Sequence, residues 1–298
     1  MIIQNTVFGL VLRSLRLDKD FLFCHYPKRF VEKLEFIVKK YLLLIKHLIL
    51  HIPPEPGRSR IHIGGREIYY ESSFGISIFL AMIVNIETYV LRYLRHLRNP
   101  LVIDAGAHLG FFSLTIANLL DEPRIYACEP VSLTFTLLSK NCRGIKAITP
   151  IPLGFSNKTS KARIYYDQKL LMYSSLFSRR LDGWSKNLLS EVVQLQSLDA
   201  FLEEKKIDRI DILKIDVEGS EEKILQGARK ALERTNYLLL ECSLDQVAGS
   251  TFSSLMHHLY GPTYNFQLVS MGPVLYDQTG AIVTVDLFFK NILFKHRS

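Results

Sequence analysis

The chain has 298 residues, of which 48% are hydrophobic and 22% charged, so it is long enough to bury the core of one catalytic domain with an extension. Its formal net charge is +8, and residues 1–60 contribute six of these charges, with eleven Lys and Arg against five Asp and Glu. The remaining residues are nearly balanced in charge. A nucleic-acid enzyme carries its basic surface on the catalytic domain, so the composition disfavours that class.

The four cysteines predict free thiols and not a disulfide framework or a zinc site. No C-x-x-C pair occurs among Cys24, Cys128, Cys142 and Cys242, and two of them lie in strand-like apolar runs. The first residues lack the basic, apolar and small-residue order of a secretory signal. We therefore expect a cytoplasmic protein.

Residues 28–50 predict one amphipathic helix. Its apolar face would consist of Phe30, Leu34, Ile37, Tyr41, Leu44 and Leu48. The longest uninterrupted apolar run, residues 41–45, is far too short to cross a bilayer. The proline-rich residues 53–57 end the helix and predict a stiff linker. We assign residues 1–57 to an N-terminal helical extension with its linker, and residues 58–298 to the catalytic domain.

The sequence leaves the partner of this helix open. The apolar face could pack on the catalytic domain or on a second copy of the chain in a homo-oligomer. A basic amphipathic helix is also typical of peripheral contact with an anionic membrane, here the inner membrane surface. Nucleic acid is the least favoured of these partners.

After the linker, the pattern changes to strands and then alternates. Residues 60–63 and 66–70 flank Gly64 and Gly65 and predict a hairpin. Residues 74–84 are apolar and predicted to be buried, and residues 86–94 predict a helix. From residue 101 to residue 142 the order is strand, helix, strand, helix, which is typical of a parallel sheet.

The turn after the first of these strands carries the strongest local signal. Residues 101–104 predict a buried strand ending at Asp104, and a second strand ends at Glu129. Such a turn with an acid after the next strand is typical of a nucleoside site. The dinucleotide fingerprint fails, because His108 and Phe111 stand where it needs glycine. The spacing of Asp104, Gly106, His108 and Gly110 instead fits the D-x-G-x-G-x-G loop of S-adenosylmethionine (SAM) binding, and His tolerates the positive φ required at position 108.

The rest of the chain breaks this alternation once and then resumes it. Strands are predicted within residues 145–153, 162–166 and 192–195, and we interpret part of this stretch as an insertion near the site. The alternation resumes with helix 198–205, strand 210–216, helix 221–232 and strand 237–241, and strands 266–270 and 282–289 complete the sheet. The fold class is therefore α/β, with a Rossmann-like, doubly wound and mostly parallel sheet.

Several motifs, in their order, resemble the FkbM-type family of SAM-dependent methyltransferases. The resemblance covers roughly residues 60–298, and its most specific part is Lys-Ile-Asp-Val-Glu-Gly at residues 214–219. The other matching segments are the loop 104–110, the pairs Glu129-Pro130 and Leu153-Gly154, the Leu-Gln-Gly-Ala stretch 225–228 and the strand closing on Glu241. His108, where the family more often has Asn, is a departure.

The resemblance implies a class I methyltransferase fold, SAM as the cofactor and a set of cofactor-binding positions. Glu87, in the helix that precedes the first sheet strand, matches a family glutamate near the cofactor, although an acid at a helix N-terminus needs no such role. The implied cofactor residues are Glu87, Asp104, Gly106, His108, Gly110, Glu129, Pro130, Leu153, Gly154 and Asp216. The adenine contacts stay unassigned, because residues 155–157 offer no acid.

Methyl transfer to a hydroxyl needs positioning and a proton acceptor, so carboxylates at the strand ends are the candidate catalytic groups. Asp216 and Glu218 alternate along an extended strand end, and Glu241 ends the next strand. Each could instead serve the following helix or the core. A divalent cation could bind them, but no third ligand follows from the spacing, so we predict no metal.

Three further residues have competing interpretations. Lys214, within an apolar strand, fits a buried lysine that pairs with a carboxylate better than it fits catalysis. His108 fits a turn residue better than it fits a base. Residues 173–175 could line the acceptor site or simply lie in a solvated loop.

We predict an S-adenosylmethionine-dependent methyltransferase that methylates a hydroxyl of a small molecule, sugar or glycolipid, and the sugar preference follows only from the resemblance. The alternatives are a non-catalytic subunit with the same fold and, less favoured, a nucleic-acid methyltransferase. The presence of Asp104, Gly106, Gly110 and Glu129 argues against a non-catalytic subunit, because such a protein has no reason to retain these cofactor residues. The second lacks both its motif and a basic catalytic face.

Overall fold

The central feature of this computed structural model is a seven-stranded sheet in the order β11-β12-β10-β9-β3-β4-β5. The structure describes residues 7–46, 50, 59–63, 65–70, 75–167, 176, 188–244, 251–276 and 280–294. The strands of this sheet are β3 (Leu101–Ala105), β4 (Arg124–Cys128), β5 (Ile148–Ile151), β9 (Ile210–Ile215), β10 (Thr235–Ser243), β11 (Phe266–Tyr276) and β12 (Ile282–Asn291).

Five neighbouring strands of the sheet are parallel. The pairs β3–β4, β4–β5, β3–β9 and β9–β10 are parallel, whereas β12 runs antiparallel to both β10 and β11. Chain order runs outward from β3 in one direction and from β9 in the other, so a topological switch point lies between these two strands. The predicted doubly wound, mostly parallel sheet is confirmed.

The inner strands are apolar on both faces because helices cover both sides of the sheet. All residues of β3 and of β9 are buried. The flanking helices are α3 (Gly75–Asn85), α4 (Leu91–Leu94), α5 (Phe111–Leu119), α6 (Ser132–Asn141), α7 (Leu198–Lys205), α8 (Glu221–Gln226), α9 (Arg229–Glu233) and α10 (Phe252–His257). The predicted helix 221–232 is in fact two short helices, α8 and α9, which are separated by Gly227 and Ala228. The sequence analysis did not predict α10.

The stretch that breaks the alternation forms a second, smaller sheet. Strands β6 (Gly154–Phe155), β7 (Ser160–Tyr166) and β8 (Leu189–Gln196) pair in the order β6-β8-β7. Because β6 follows directly from the end of β5, this sheet lies beside the carboxyl end of the parallel strands. Residues 173–175, a candidate part of the acceptor site, lie outside the described residues, as does the linker 53–57.

Two helices, α1 (Val7–Leu22) and α2 (Phe30–Leu44), form the N-terminal part of the chain. The sequence analysis did not predict α1. A hairpin of β1 (Arg60–Ile63) and β2 (Arg66–Tyr69) follows them. Phe21 and Phe36 are fully buried in one hydrophobic cluster with Phe79 of α3. Leu48 of the predicted apolar face lies outside the described residues, and the rest of that face is only partly buried. Ile37 packs against the core, whereas Phe30 and Leu34 are exposed.

A nearly continuous helix, Gly75–Leu94, leads into the first strand of the sheet. It comprises α3, a π-helical turn at Ile86–Val90 and α4. Among the described residues, it is the one helix whose length and composition would suit a membrane span. Core helices pass the same test, and Phe79, Leu80 and Ile83 of this helix are completely buried in the protein.

Candidate functional site

A cavity of about 380 Å³ lies at the carboxyl ends of the parallel strands. The ends of β3 and β9, which flank the switch point, both contribute to its wall, and ligands of open α/β sheets bind at this place. Eight of the predicted site residues line it: Gly106, His108, Glu129, Pro130, Gly154, Asp216, Glu218 and Glu241. The volume is in the range of small-molecule sites.

The loop after β3 approaches the end of β9 so closely that only glycine fits at position 106. Gly106 has φ +80°, and a Cβ built there would lie 1.9 Å from the backbone oxygen of Asp216. The Asp216 amide also donates to the Ala105 oxygen at 3.1 Å. The glycine thus brings the cofactor loop and the motif 214–219 together at one wall of the cavity.

His108 and Glu129 connect this loop to the end of β4. His108 has φ +50°, as the loop spacing requires, and its amide donates to Glu129 Oε2 at 3.0 Å. The Val131 amide donates to Oε1 of the same carboxylate at 2.9 Å. Burial raises the pKa of Glu129 to about 7, against the lowering effect of these two hydrogen bonds. Burial lowers the pKa of His108 to about 4, so its imidazole is neutral at neutral pH.

Lys214 is a buried cation held between two carboxylates, as one of its two interpretations predicted. Its Nζ lies 2.9 Å from Asp216 Oδ2 and 3.5 Å from Asp104 Oδ1. Burial lowers the pKa of Lys214, but the charges of Asp216 and Asp104 outweigh it and raise the pKa above its ordinary value. Lys214 therefore keeps its charge and anchors Asp216 at the cavity.

Four acids share the cavity wall with Lys214, and we call Asp216, Glu218, Glu241 and Asp286 the carboxylate group. All four line the cavity. Asp286 lies on β12 directly opposite Glu241 on β10. The sequence analysis missed Asp286, because only the antiparallel return of β12 brings it beside Glu241.

The carboxylate group cannot be fully ionised at neutral pH without a large cost. Burial and the nearby charges of Asp216, Glu218 and Asp286 raise the pKa of Glu241 well above its ordinary value. Burial and Asp216 raise the pKa of Asp286 to about 6. Burial opposes ionisation of Asp216 as well, but Lys214 lowers its pKa. Ionisation is therefore easier for Asp216 than for Glu241.

The same acids are placed where oxygen ligands could meet a cation. Carboxylate oxygens of Asp216, Glu218 and Glu241 all lie within 4.8 Å of one another, a relation that spacing alone did not reveal. Lys214 already supplies a positive charge to Asp216, so the arrangement does not require a metal.

The remaining wall of the cavity is apolar, and none of its side chains was among the predicted site residues. It includes Ile78, Met82 and Tyr89 from the helix Gly75–Leu94, Phe112 from α5, and Leu275 and Phe288 from β11 and β12. A bulge in β11 lies between Met271 and Val274. Within it, a Cβ at Gly272 would lie 3.0 Å from Cβ of Asp286, so glycine leaves room for that acid.

Four predicted cofactor residues lie outside the cavity wall. Asp104 is fully buried below the loop and accepts from the Ser113 hydroxyl at 2.6 Å. At Gly110 a Cβ would lie 2.7 Å from the Leu138 side chain, so this glycine serves packing of the loop against α6. Glu87 accepts a hydrogen bond from the Tyr26 amide at 2.9 Å, and Leu153 packs at the edge of the core. A cofactor contact for these four residues stays a prediction.

Solved structures of other proteins share parts of this fold at low similarity. Fibrillarin from Aeropyrum pernix with bound S-adenosyl-L-methionine is 13% identical, with a TM-score of 0.40 over 78% of this chain and 82% of its own. The putative transferase PH0793 from Pyrococcus horikoshii is 12% identical, with a TM-score of 0.45 over 87% of this chain and 84% of its own. Scores this low support no conclusion about function.

Two curated relatives match the chain over part of their length. Methyltransferase sdnD of Sordaria araneosa is 29% identical over 156 residues, which are 43% of this chain and 60% of the relative. Hexuronic acid methyltransferase AglP of Haloferax volcanii is 24% identical over 138 residues, which are 46% of this chain and 54% of the relative. The chain thus spans little more than half the length of these relatives.

The family model of the methyltransferase FkbM domain matches residues 104–266. This match is more than half of the chain, and it begins at the first acid of the cofactor loop and ends at the start of β11. It contains Gly106, Glu129, Asp216 and Glu241 of the cavity wall. The chain therefore belongs to the FkbM methyltransferase domain family.

Proposed function

We propose that the protein transfers a methyl group from S-adenosylmethionine to a hydroxyl of a small molecule, a sugar or a glycolipid. One observation carries this proposal: a single cavity is bounded on one side by the glycine loop with Glu129 and on another by the carboxylate group. The first side has the features of a nucleoside site. The second side offers proton acceptors.

The residues of the first side fit the cofactor. The close approach of Gly106 to the Asp216 backbone holds the loop at the cavity wall, and Glu129 would accept hydrogen bonds from the ribose hydroxyls. Gly154 lines the cavity where a Cβ would lie 2.6 Å from the Leu195 side chain. Together with Pro130 and Phe155, it offers an apolar surface for the adenine. When bound, S-adenosylmethionine supplies a methyl group on a positively charged sulfur.

On the second side, the chain's residues orient the acceptor and take its proton. Asp216, ionised and anchored by Lys214, would accept a hydrogen bond from the acceptor hydroxyl. The proton would then pass to another acid of the carboxylate group, and Asp286, whose pKa burial raises to about 6, is the candidate for this role. Closing the site between apolar walls strengthens both interactions, because water is excluded.

The composition of the cavity wall constrains the acceptor. An anionic acceptor would add to the repulsion that already opposes ionisation of Glu241 and Asp286, so an uncharged hydroxyl fits better than a free sugar acid. The apolar side chains of the helix Gly75–Leu94 fit an acceptor with an apolar part. The name of the relative AglP supports a sugar acceptor, whereas this chain's acids argue for a neutral one.

Two measurements test the proposal. Calorimetric titration of the full chain should show binding of S-adenosylmethionine and S-adenosylhomocysteine in the micromolar range, and none of NAD. Mass spectrometry of a cell extract incubated with the protein and methyl-labelled cofactor should then reveal a labelled product. Binding of NAD alone would overturn the proposed cofactor. Binding of S-adenosylmethionine without any labelled product would favour a non-catalytic subunit.

A further inference from the structure

Helix α2 buries Phe36 in the core, but it also turns two lysines toward the protein and several apolar side chains toward solvent. Lys33 and Lys40 are 7% and 1% exposed, whereas Val31, Val38 and Leu42 are 69%, 57% and 59% exposed. An amphipathic helix on a globular protein ordinarily does the opposite. The orientation therefore needs an explanation that the core of this chain does not provide.

The inward lysines fix this orientation because each has specific partners. Lys40 forms an ion pair with Asp18 of α1 and donates to the Ser14 hydroxyl at 3.0 Å. Lys33 donates to the backbone oxygens of Leu22, at 3.0 Å, and Cys24. Rotating α2 to bury its apolar residues would leave these ammonium groups without their partners. The outward position of the apolar residues is thus built into the packing of α1 and α2.

The outward apolar residues form a continuous stripe. It consists of Val31, Leu34, Val38, Leu42 and Ile45, which follow one another at intervals of three or four residues and are each at least 43% exposed. Exposed cations stand at both ends: Lys28 and Arg29 before the stripe and Lys46 after it. Glu35, the exposed acid of α2, is paired with Lys39. The stripe is therefore an apolar surface in a cationic frame.

We propose that this outward stripe docks on an anionic membrane surface, with its apolar side chains at the level of the headgroups and its cations on the phosphates. Apolar contact and cation attraction are the two components of interfacial binding by a helix. A second copy of the chain fits less well. Stripes paired antiparallel would bring Lys28 and Arg29 against Lys46, and stripes paired in parallel would bring equal cations together. This docking is independent of the proposed methyl transfer.

The experiment is flotation of the full chain with lipid vesicles. Vesicles of phosphatidylcholine are compared with vesicles that also contain phosphatidylglycerol. The protein should float with the anionic vesicles at about 0.1 M salt, and binding should weaken at least about tenfold at about 1 M, where the Debye length falls from about 10 to about 3 Å. Absence of flotation at low salt overturns the proposal.

Matched variants test the face itself. The double variant Val38→Asp/Leu42→Asp should bind at least about tenfold more weakly, because two charges would enter the headgroup region. Val192→Asp, at a valine of β8 that is also 59% exposed, should bind like wild type. Unchanged binding of the double variant overturns the proposal. A second outcome also overturns it: light scattering shows that the wild type is a dimer and the double variant a monomer, and the wild type does not float with vesicles.

A second variant keeps the test informative if the double variant fails to fold. Lys28→Gln/Arg29→Gln/Lys46→Gln removes only exposed cations and should lower flotation with anionic vesicles by at least about tenfold. Its thermal melt should match that of wild type. Calorimetry with S-adenosylmethionine on all variants separates this proposal from the proposed function, because cofactor binding should not change.

Discussion

Two parts of the cavity wall are built in different ways: the wall with Gly106 and Glu129, which the proposed function makes the cofactor side, and the wall with the carboxylate group, which it makes the acceptor side. The cofactor side comes from two neighbouring parallel strands, and its contacts are a glycine approach and one acid that accepts two backbone amides. The acceptor side comes from β9, β10 and the antiparallel β12, and four acids share its wall with Lys214. The first side is an arrangement of backbone with satisfied hydrogen bonds. On the second side, buried acids repel one another, and burial together with this repulsion raises the pKa values of Glu241 and Asp286.

This difference indicates which side tolerates change. At Gly106 on the cofactor side, geometry leaves no room for a side chain, so a substitution there should damage the fold as well as binding. On the acceptor side, the raised pKa values of Glu241 and Asp286 mean that ionised acids destabilise the folded protein. Removing a charge there should relieve the fold while harming the chemistry, as is common in active sites.

The largest expected effect concerns Gly106. Gly106→Ala should destabilise the protein by more than about 4 kcal/mol or prevent folding, because the new Cβ would collide with the Asp216 backbone. Gly144→Ala is the matched control: its φ of +76° is similar, but nothing lies within 4 Å of an added Cβ. It should cost only about 1 to 2 kcal/mol, the penalty of the left-handed conformation. Urea unfolding measures both, and equal losses would show that the close approach does not matter.

The next effect concerns the acceptor side. Asp216→Asn should lower turnover by about 10² to 10⁴ while changing the melting temperature little, because Asp104 still neutralises Lys214. Asp121→Asn, which removes an exposed acid paired with Arg98, should leave turnover unchanged. A lower melting temperature with constant turnover per folded molecule would make Asp216 a structural residue. Full wild-type activity after EDTA treatment would exclude a metal in the carboxylate group.

The cofactor side was readable from sequence because its parts are local. The loop 104–110 is one short segment, and Glu129 ends the strand that follows it, so spacing alone predicts their meeting. The positive φ of His108 followed from the same pattern. The doubly wound fold was predictable for a similar reason, since strands and helices alternate with clear apolar periods.

The acceptor side was only half readable. Asp216 directly follows β9 and Glu241 lies near the carboxyl end of β10, so the sequence could place both at the cavity. Asp286 could not, because its position depends on the register of an antiparallel strand that returns from the far edge of the sheet. The orientation of α2 was unpredictable from periodicity, because the partners of Lys33 and Lys40 belong to other parts of the N-terminal segment. Specific polar contacts there override the hydrophobic pattern.

A smaller effect should follow from removing the acid of the cofactor side. Glu129→Ala should weaken S-adenosylmethionine binding by about 1.5 to 3 kcal/mol, because a charged acceptor is lost. Glu191→Ala is a useful control: Glu191 accepts a hydrogen bond from the Ser132 amide at 2.6 Å but does not line the cavity. Its loss should leave affinity unchanged. Calorimetry that finds equal affinity for both variants would remove Glu129 from the site.

The smallest effect is expected at Asp286, and it should depend on pH. The pKa of this acid in the folded protein is about 6, above its ordinary value of about 4, so the stability gained from its protonated form is lost as the pH rises through 6. Asp286→Asn should therefore raise the free energy of unfolding by about 1 to 2 kcal/mol above pH 7 and change it little near pH 4.

In wild type, kcat/KM should rise with pH through about 6, as the base loses its proton, and Asp286→Asn should lose this step. Asp208→Asn, at an acid whose side chain is 80% exposed, should show neither change. If Asp286→Asn keeps the wild-type pH profile while its stability rises, Asp286 is a neighbour that tunes Glu241, and the proton passes to Glu241 instead.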